Sequence, residues 1–432
     1  MIWNESKECM SRDEMSSLQS ERLVKLVDYV YHNVEFYRKK MQKVGVLPGD
    51  IKSIEDIVKL PFTTKDDLRD NYPFGLFAVP QSEIIRVHAS SGTTGKATVV
   101  GYTRHDIDIW AECVARCFAM AGVTRNDIIQ VAYGYGLFTG GLGAHNGAEK
   151  LGAMVVPMST GNSKKLITMM VDFGATAIAC TPSYLLHIAE QLEMEGKLND
   201  IKLKYAICGA EPWTEKMHQD IERRLNIKAF DIYGLSEVMG PGVACDCQFH
   251  KGLHVHEDHF YPEILNSATL TPQKAGETGE LVFTTLTKEG LPLIRYRTKD
   301  LTSIDYGTCE CGRTTARISR FKGRVDDMLI IRGVNVFPSQ VEAALIDVKE
   351  VSPHYMMIVD RVNNLDTLEI QVELNPDYYT DEIKGIEAMT KKIGHVITQA
   401  LGLSAKIKIV EPQSLARSEG KAVHVIDKRK LY

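Results

Sequence analysis

The run Ser90, Ser91, Gly92, Thr93, Thr94, Gly95, Lys96 is the densest concentration of chemically useful side chains in the sequence. Glycines free backbone N–H groups, four hydroxyls offer further donors and one ammonium adds positive charge, so such a loop can wrap phosphate oxygens. It is not a Walker A sequence: two residues separate Gly92 from the Gly95-Lys96 pair, and Ala97 follows where a Ser or Thr would hold magnesium. A P-loop kinase is disfavoured; a solvated turn and a mobile loop over a nucleoside triphosphate both remain open. Asp231-Ile232-Tyr233-Gly234-Leu235-Ser236-Glu237 ends a strand-like stretch. Tyr233 can cover an aromatic base and Glu237 can hold Mg2+ on phosphate oxygens, although a strand ending in an exposed acidic turn explains the same residues. Gly134, Tyr135, Gly136 and Gly140 are spaced one residue too widely for a dinucleotide fingerprint, so Rossmann-type NAD binding is not supported. Lys421 reads on its own as a solvated lysine, and Arg295, Arg297 and Asp300 as a salt-bridged surface strand. Cys245-Asp246-Cys247, His250, His254, His256 and Cys309-Glu310-Cys311 put paired thiols and histidines on separate loops, the makings of a tetrahedral zinc site. The one-residue gap within each pair is tighter than usual, and free core thiols with strand-facing histidines are the alternative.

These residues must be carried by a chain of 432 residues, 44% hydrophobic and 25% charged, which is long enough for two or three domains. Fifty-one Lys and Arg against 56 Asp and Glu leave a net charge of -5, which offers nothing to attract a polyanion, so nucleic acid is not an expected partner. The start lacks the basic and apolar segments of a secretory signal, and no apolar run approaches the ~20 residues that span a bilayer. Nine cysteines without an export signal fit a reducing compartment, so a cytoplasmic protein with no membrane partner is expected. Leu23, Leu26, Val27, Val30, Val34, Tyr37 and Met41 recur at helical spacing until Gly45 and Pro48 interrupt it. From about Ile84 to Leu301, short Val- and Ile-rich runs (127–132, 153–157, 175–180, 205–208, 229–233) alternate with amphipathic stretches, predicting an α/β domain with largely parallel strands. Beyond Arg324 two strands (354–359, 368–374), a helix carrying Ile383, Ile386, Met389, Ile393, Ile397 and Leu401, and a strand at 406–410 predict a smaller α+β unit. The expected domains are 1–325 and 326–432.

In this order the motifs resemble the phenylacetate:coenzyme A ligases of the adenylate-forming superfamily, over roughly Val24 to Leu431. The strings that carry the resemblance most specifically are Tyr133-Gly134-Tyr135-Gly136-Leu137-Phe138, Gly209-Ala210-Glu211-Pro212-Trp213, Glu257-Asp258-His259-Phe260-Tyr261-Pro262-Glu263 and Ile331-Arg332-Gly333-Val334-Asn335-Val336-Phe337-Pro338-Ser339-Gln340. The resemblance implies a large adenylate-forming domain and a small mobile domain, with an acyl adenylate formed from ATP and an aryl acid and then captured by coenzyme A. It implies that Ser90 to Lys96 are the phosphate loop, that Gly209, Ala210 and Glu211 flank the adenine opposite Asp231 and Tyr233, and that Gly234 lies in the same motif. Ser236 and Glu237 match the hydroxyl and magnesium carboxylate, Asp300 the acid that grips the ribose, and Arg324 a basic residue at the nucleotide edge. Asp326 matches the hinge and Lys421 the mobile catalytic lysine. Tyr135, Phe138, Ala210 and Pro241 match residues lining the acid pocket. Cys247, His254, Cys309 and Cys311 are the implied ligands of a structural zinc, with Cys245 the substitute. An adenylating enzyme for another aryl or indole acid or another acceptor, and a non-catalytic nucleotide-binding protein, are the competing expectations; a homodimer is one oligomeric state open to the chain.

Overall fold

The structure is a computed structural model that describes residues 1–89, 97–211, 213, 215–325, 329–331, 334–346, 348–362, 365–375, 378, 383–415 and 423–429. Two compact units divide it, one made of Met1–Trp213 and His218–Arg320, the other of Thr214–Met217 and Phe321–Tyr432.

The larger unit opens with helices α1 (Glu5–Glu8), α2 (Arg12–Asn33), α3 (Glu35–Lys43) and α4 (Lys65–Asp70). Ser11 starts α2 with a capping box, its hydroxyl accepting the Glu14 N–H while the Glu14 carboxylate accepts the Ser11 N–H. The apolar stripe predicted as one helix is two, because the backbone at Val34 is extended (φ -122°, ψ 105°). Carbonyls freed at this break are taken by a side chain: Arg38 donates to Tyr31 O at 3.3 Å and to His32 O at 3.4 Å. All seven residues of the stripe are nevertheless buried.

The hairpin β1 (Arg86–Ala89) and β2 (Val99–Tyr102) brackets positions 90–96, and α5 (Arg104–Met120) follows. Strands β3 (Ile128–Val131), β4 (Met154–Pro157), β5 (Ala177–Cys180), β6 (Tyr205–Gly209) and β7 (Lys228–Leu235) then alternate with α6 (Thr139–Leu151), α7 (Ser163–Asp172), α8 (Pro182–Met194) and α9 (Glu215–Leu225). The five strands pair in parallel in the order β7-β6-β5-β3-β4, as the alternation predicts. The sheet is mixed, however. The turn after β7 is too short for a crossover helix, so β8 (Gly240–Cys245) returns antiparallel beside it. β9 (Leu253–Val255) extends that edge; β10 (Phe260–Leu265), β11 (Gly279–Thr285) and β12 (Tyr296–Thr302) pair antiparallel in a second sheet. β13 (Ile304–Asp305) and β14 (Arg317–Ile318) complete the large sheet, which has nine strands among the described residues.

Buried ion pairs fix the segment 257–263. Glu257 accepts from Arg12, Asp258 takes a two-pronged bond from Arg116 at 2.8 and 3.0 Å, and Glu263 one from Arg295 at 3.0 and 2.8 Å. Arg297 pairs similarly with Glu280. Arg295 is thus salt-bridged as the residue types suggested, but in the interior rather than on a surface.

The smaller unit contains β15 (Gly323–Arg324), the hairpin β16 (Leu329–Ile331) and β17 (Val334–Val336), α10 (Pro338–Ile346), β18 (Val351–Val362), β19 (Leu365–Leu374), α11 (Ile383–Leu401), β20 (Lys406–Val410) and β21 (Val425–Asp427). Its sheet runs β20-β19-β18-β21, and Ile393, Ile397 and Leu401 of α11 bury against Met357, Val359, Ile370 and Val372. Among the described residues no helix is long and apolar enough to cross a membrane.

Candidate active site and metal centre

The turn between β7 and β8 depends on Gly234: a Cβ there would stand 1.7 Å from the carbonyl oxygen of Gly240, closer than any side chain permits. The tight turn projects Ser236 and Glu237, both buried at 6% exposure, away from the sheet. The Ser236 hydroxyl lies 3.1 Å from that of Thr139 at the start of α6. The Glu237 carboxylate accepts from the Thr98 hydroxyl at 3.3 Å and lies 3.5 Å from the Lys65 ammonium. Neither the threonines nor the lysine carries a signal in the sequence, since they are separated from the turn by about a hundred residues or more. A buried carboxylate beside a threonine hydroxyl, with the Ser236 hydroxyl on the same turn, suits a hard divalent cation with oxygen ligands.

At the other end of the motif, the Tyr233 hydroxyl donates to Asp300 Oδ2 at 2.6 Å, joining β7 to β12. Asp231 is held up to about 7 by burial and then by the Asp246 carboxylate, opposed by Arg320. Gly209 ends β6 where a Cβ would stand 2.2 Å from Ile232 O, and Ala210 follows with φ 71°, a left-handed conformation unusual for a residue with a side chain. Glu211 then turns to accept from the Ser183 hydroxyl at 2.6 Å at the N-terminus of α8. The structure therefore collects Gly209, Ala210, Glu211, Asp231, Tyr233, Ser236 and Glu237 at the C-terminal ends of adjacent parallel strands, where open α/β sheets bind ligands.

Candidate acid-pocket residues gather around α6. Tyr135 lies 3.3 Å from His145 Nδ1, while Phe138 and Pro241 pack within 2.9 and 2.8 Å of where Cβ atoms on Gly140 and Gly143 would stand. Ala210 belongs instead to the turn after β6.

With this geometry in view, the comparisons are decisive. The AMP-binding enzyme family matches residues 51–286, and the AMP-binding enzyme C-terminal domain matches residues 333–429. A phenylacetate-coenzyme A ligase of Escherichia coli is 52% identical over 98% of this chain and 97% of its own. One from Thermus thermophilus is 46% identical over the full length of both. The chain belongs to the phenylacetate-coenzyme A ligase family of AMP-binding enzymes. Among solved structures, a 2-hydroxyisobutyryl-CoA ligase in the postadenylation state, in complex with R3-HIB-AMP, superposes with a TM-score of 0.92 at 30% identity, covering 98% of this chain and 91% of that one.

For this ligase the second constellation is also assembled in the larger unit. Cys247, His254, Cys309 and Cys311 present ligand atoms all within 4.8 Å of one another, with Cys247 Sγ 3.8 Å from Cys309 Sγ and Cys311 Sγ 3.5 Å from His254 Nε2. His254 Nδ1 lies 3.0 Å from the Thr315 hydroxyl, a contact that directs Nε2 to the thiols as a zinc ligand requires. Cys245 is not in the group: it faces α5, where its thiol donates to Cys117 O. All nine cysteines are free. A neighbouring trio, His218, Glu222 and His250, is a hydrogen-bond cluster, because His218 Nε2 contacts Ala229 O at 2.7 Å and Nδ1 contacts Arg320 at 3.4 Å. Arg324 lies half-buried in the smaller unit. Ser90 to Lys96, Asp326 and Lys421 lie outside the described residues.

Proposed function

We propose that this ligase joins an aryl acid, phenylacetate foremost, to coenzyme A, converting ATP to AMP and pyrophosphate. The observation that carries the reading is the similarity, along the whole chain, to proteins named phenylacetate-coenzyme A ligase. The geometry supports it. Tyr233 and the 209–211 turn would bracket adenine, Asp300, already bonded to Tyr233, would take the ribose hydroxyls, and the Ser236 hydroxyl and the backbone of 90–96 would meet the phosphates. Glu237 would hold Mg2+, whose charge offsets that of the phosphate oxygens.

A free carboxylate cannot acylate a thiol at neutral pH, because its leaving group would be oxide. Attack on the α-phosphorus gives a mixed anhydride with AMP as the later leaving group, and Lys421, on the domain 326–432, would meet the charge that develops on the α-phosphoryl group. A turn about Asp326 would then remove Lys421 and admit the thiol to the large domain 1–325. The acid would sit against Tyr135, Phe138, Ala210 and Pro241, and Arg324 would reach the nucleotide edge. Zinc in the Cys247, His254, Cys309 and Cys311 cluster would be structural, since the four ligands leave no position for water. Free thiols fit a reducing, cytoplasmic setting.

The test is a panel of phenylacetate, benzoate and indoleacetate with ATP, Mg2+ and coenzyme A, read as AMP and thioester. Phenylacetate should lead by a margin of the order of 10- to 200-fold, the range one methylene yields in an apolar pocket. Pyrophosphate release with turnover indifferent to coenzyme A would point to another acceptor. No pyrophosphate with any acid would leave a nucleotide-binding protein.

A further inference from the structure

We propose that Lys288 is a positioning residue that sets the Glu237 carboxylate for Mg2+, an inference that rests on the assignment of Glu237 as the magnesium ligand. Lys288 is 2% exposed and lies 51 residues beyond the turn. Its ammonium donates to the carbonyls of Glu237 at 3.3 Å and Val238 at 2.9 Å, and lies 4.6 Å from the ring centre of Tyr102. The single Tyr102 hydroxyl proton is shared between the carbonyls of Met239 at 3.0 Å and Ser236 at 3.3 Å. Two side chains from outside the turn therefore hold four successive carbonyls, 236 to 239, leaving the backbone that aims Ser236 and Glu237 little freedom.

The charge is placed deliberately by the fold. Burying an ammonium is costly unless carboxylates and acceptors surround it. Here burial pulls the lysine down to about 8, with the carboxylates of Asp106 and Glu237 opposing the shift. Asp106, in the first turn of α5, also fixes the loop that carries Lys288 by accepting the N–H groups of Glu289 at 2.7 Å and Gly290 at 2.9 Å. Thr103 adds a bond to the Glu289 carboxylate at 3.0 Å. A neutral side chain of equal volume would fill the space but could not grip two carbonyls at once. The Lys288 hydrogen bonds go to the backbone of the turn, whereas the Glu237 carboxylate hydrogen-bonds Thr98 and lies beside Lys65, so Lys288 acts on a metal site through the backbone that aims that carboxylate.

The experiment compares Lys288→Met, Tyr102→Phe and Glu237→Gln with the parent, in two assays. One is the Mg2+ concentration giving half-maximal pyrophosphate release from ATP and phenylacetate; the other is thioester formation from preformed phenylacetyl adenylate and coenzyme A. Lys288→Met should raise the Mg2+ requirement by about 10- to 100-fold, the usual effect of losing a residue that orients a metal ligand. Saturating Mg2+ should restore the first step, and thioester formation should be unchanged. Tyr102→Phe should shift the requirement in the same direction by less, and decides the matter if Lys288→Met does not fold. A shift for Glu237→Gln with none for either folded variant would overturn the role of Lys288 and leave the magnesium assignment standing. Equal slowing of both half-reactions with the Mg2+ requirement intact would also overturn it. No shift for Glu237→Gln would overturn both.

Discussion

Asp231 and Glu237 stand six residues apart around the end of β7, yet their surroundings differ in kind. Glu237 has a hydroxyl and two cations nearby, while Asp231 is pushed up to about 7 by burial and then by a second carboxylate, Asp246. The folded protein therefore holds a proton on Asp231 between about pH 4 and pH 7 that the unfolded chain has released. By linkage, folding stability from this group is fully present below about pH 4 and is lost as the pH rises through 7. Asp231→Asn removes that dependence. Its melting temperature should gain on the parent as the pH rises from 5 to 8, by the equivalent of at most about 3 kcal/mol; a difference that stays flat across this range would show the carboxylate to be ionised throughout. The residue types of this motif were legible in the sequence. The protonation of Asp231 was not, because it depends first on burial in the folded chain and then on Asp246 and the distant Arg320.

At the scale of elements, the β7–β8 hairpin and the first thiol loop share one strand: β8 leaves the turn that carries Glu237 and ends two residues before Cys247. Zinc bound by Cys247, His254, Cys309 and Cys311 would tie the end of β8 and β9 to the loop between β13 and β14. Purified without chelator, the protein should carry close to one zinc per chain. Cys309→Ser should lower the melting temperature while leaving nucleotide affinity near the parent value, since the cluster closes loops rather than touching phosphates. Metal analysis and calorimetry check this, and a zinc-free, equally stable parent would return the four residues to plain core chemistry. The C-x-C spacing announced a thiol cluster, but it could not separate Cys245 from Cys247. That choice followed from where β8 stops: Cys245 still faces α5, and the chain has turned away by Cys247.

For the whole molecule, the two-step chemistry predicts a division of labour between the units. Lys421→Ala, given ATP and phenylacetate, should form the adenylate more slowly by about two orders of magnitude, the value of one donor to a developing oxyanion. Given synthetic phenylacetyl adenylate and coenzyme A, the same variant should make thioester at near the parent rate; equal slowing in both assays, followed by rapid quench, would mean that the lysine serves both steps or only the fold. The parallel strands of the larger unit, and the strand-strand-helix-strand run over 354–410 of the smaller one, could be read from periodicity, because hydrophobic spacing and turn residues act within about ten positions. The residue types of Tyr233, Glu237, Asp300 and the paired thiols were visible too, but the roles proposed for them rest on the family resemblance rather than on spacing. The antiparallel extension of the large sheet, the burial of Arg295 and the grip of Lys288 on the 236–239 turn could not be read. Those contacts join residues 32, 51 and as many as 245 positions apart, as in Arg295–Glu263, Lys288–Glu237 and Arg12–Glu257. Local sequence sets which groups are available, whereas the path of the whole chain decides which of them meet, and a buried charge is tolerated only where that path brings its partner.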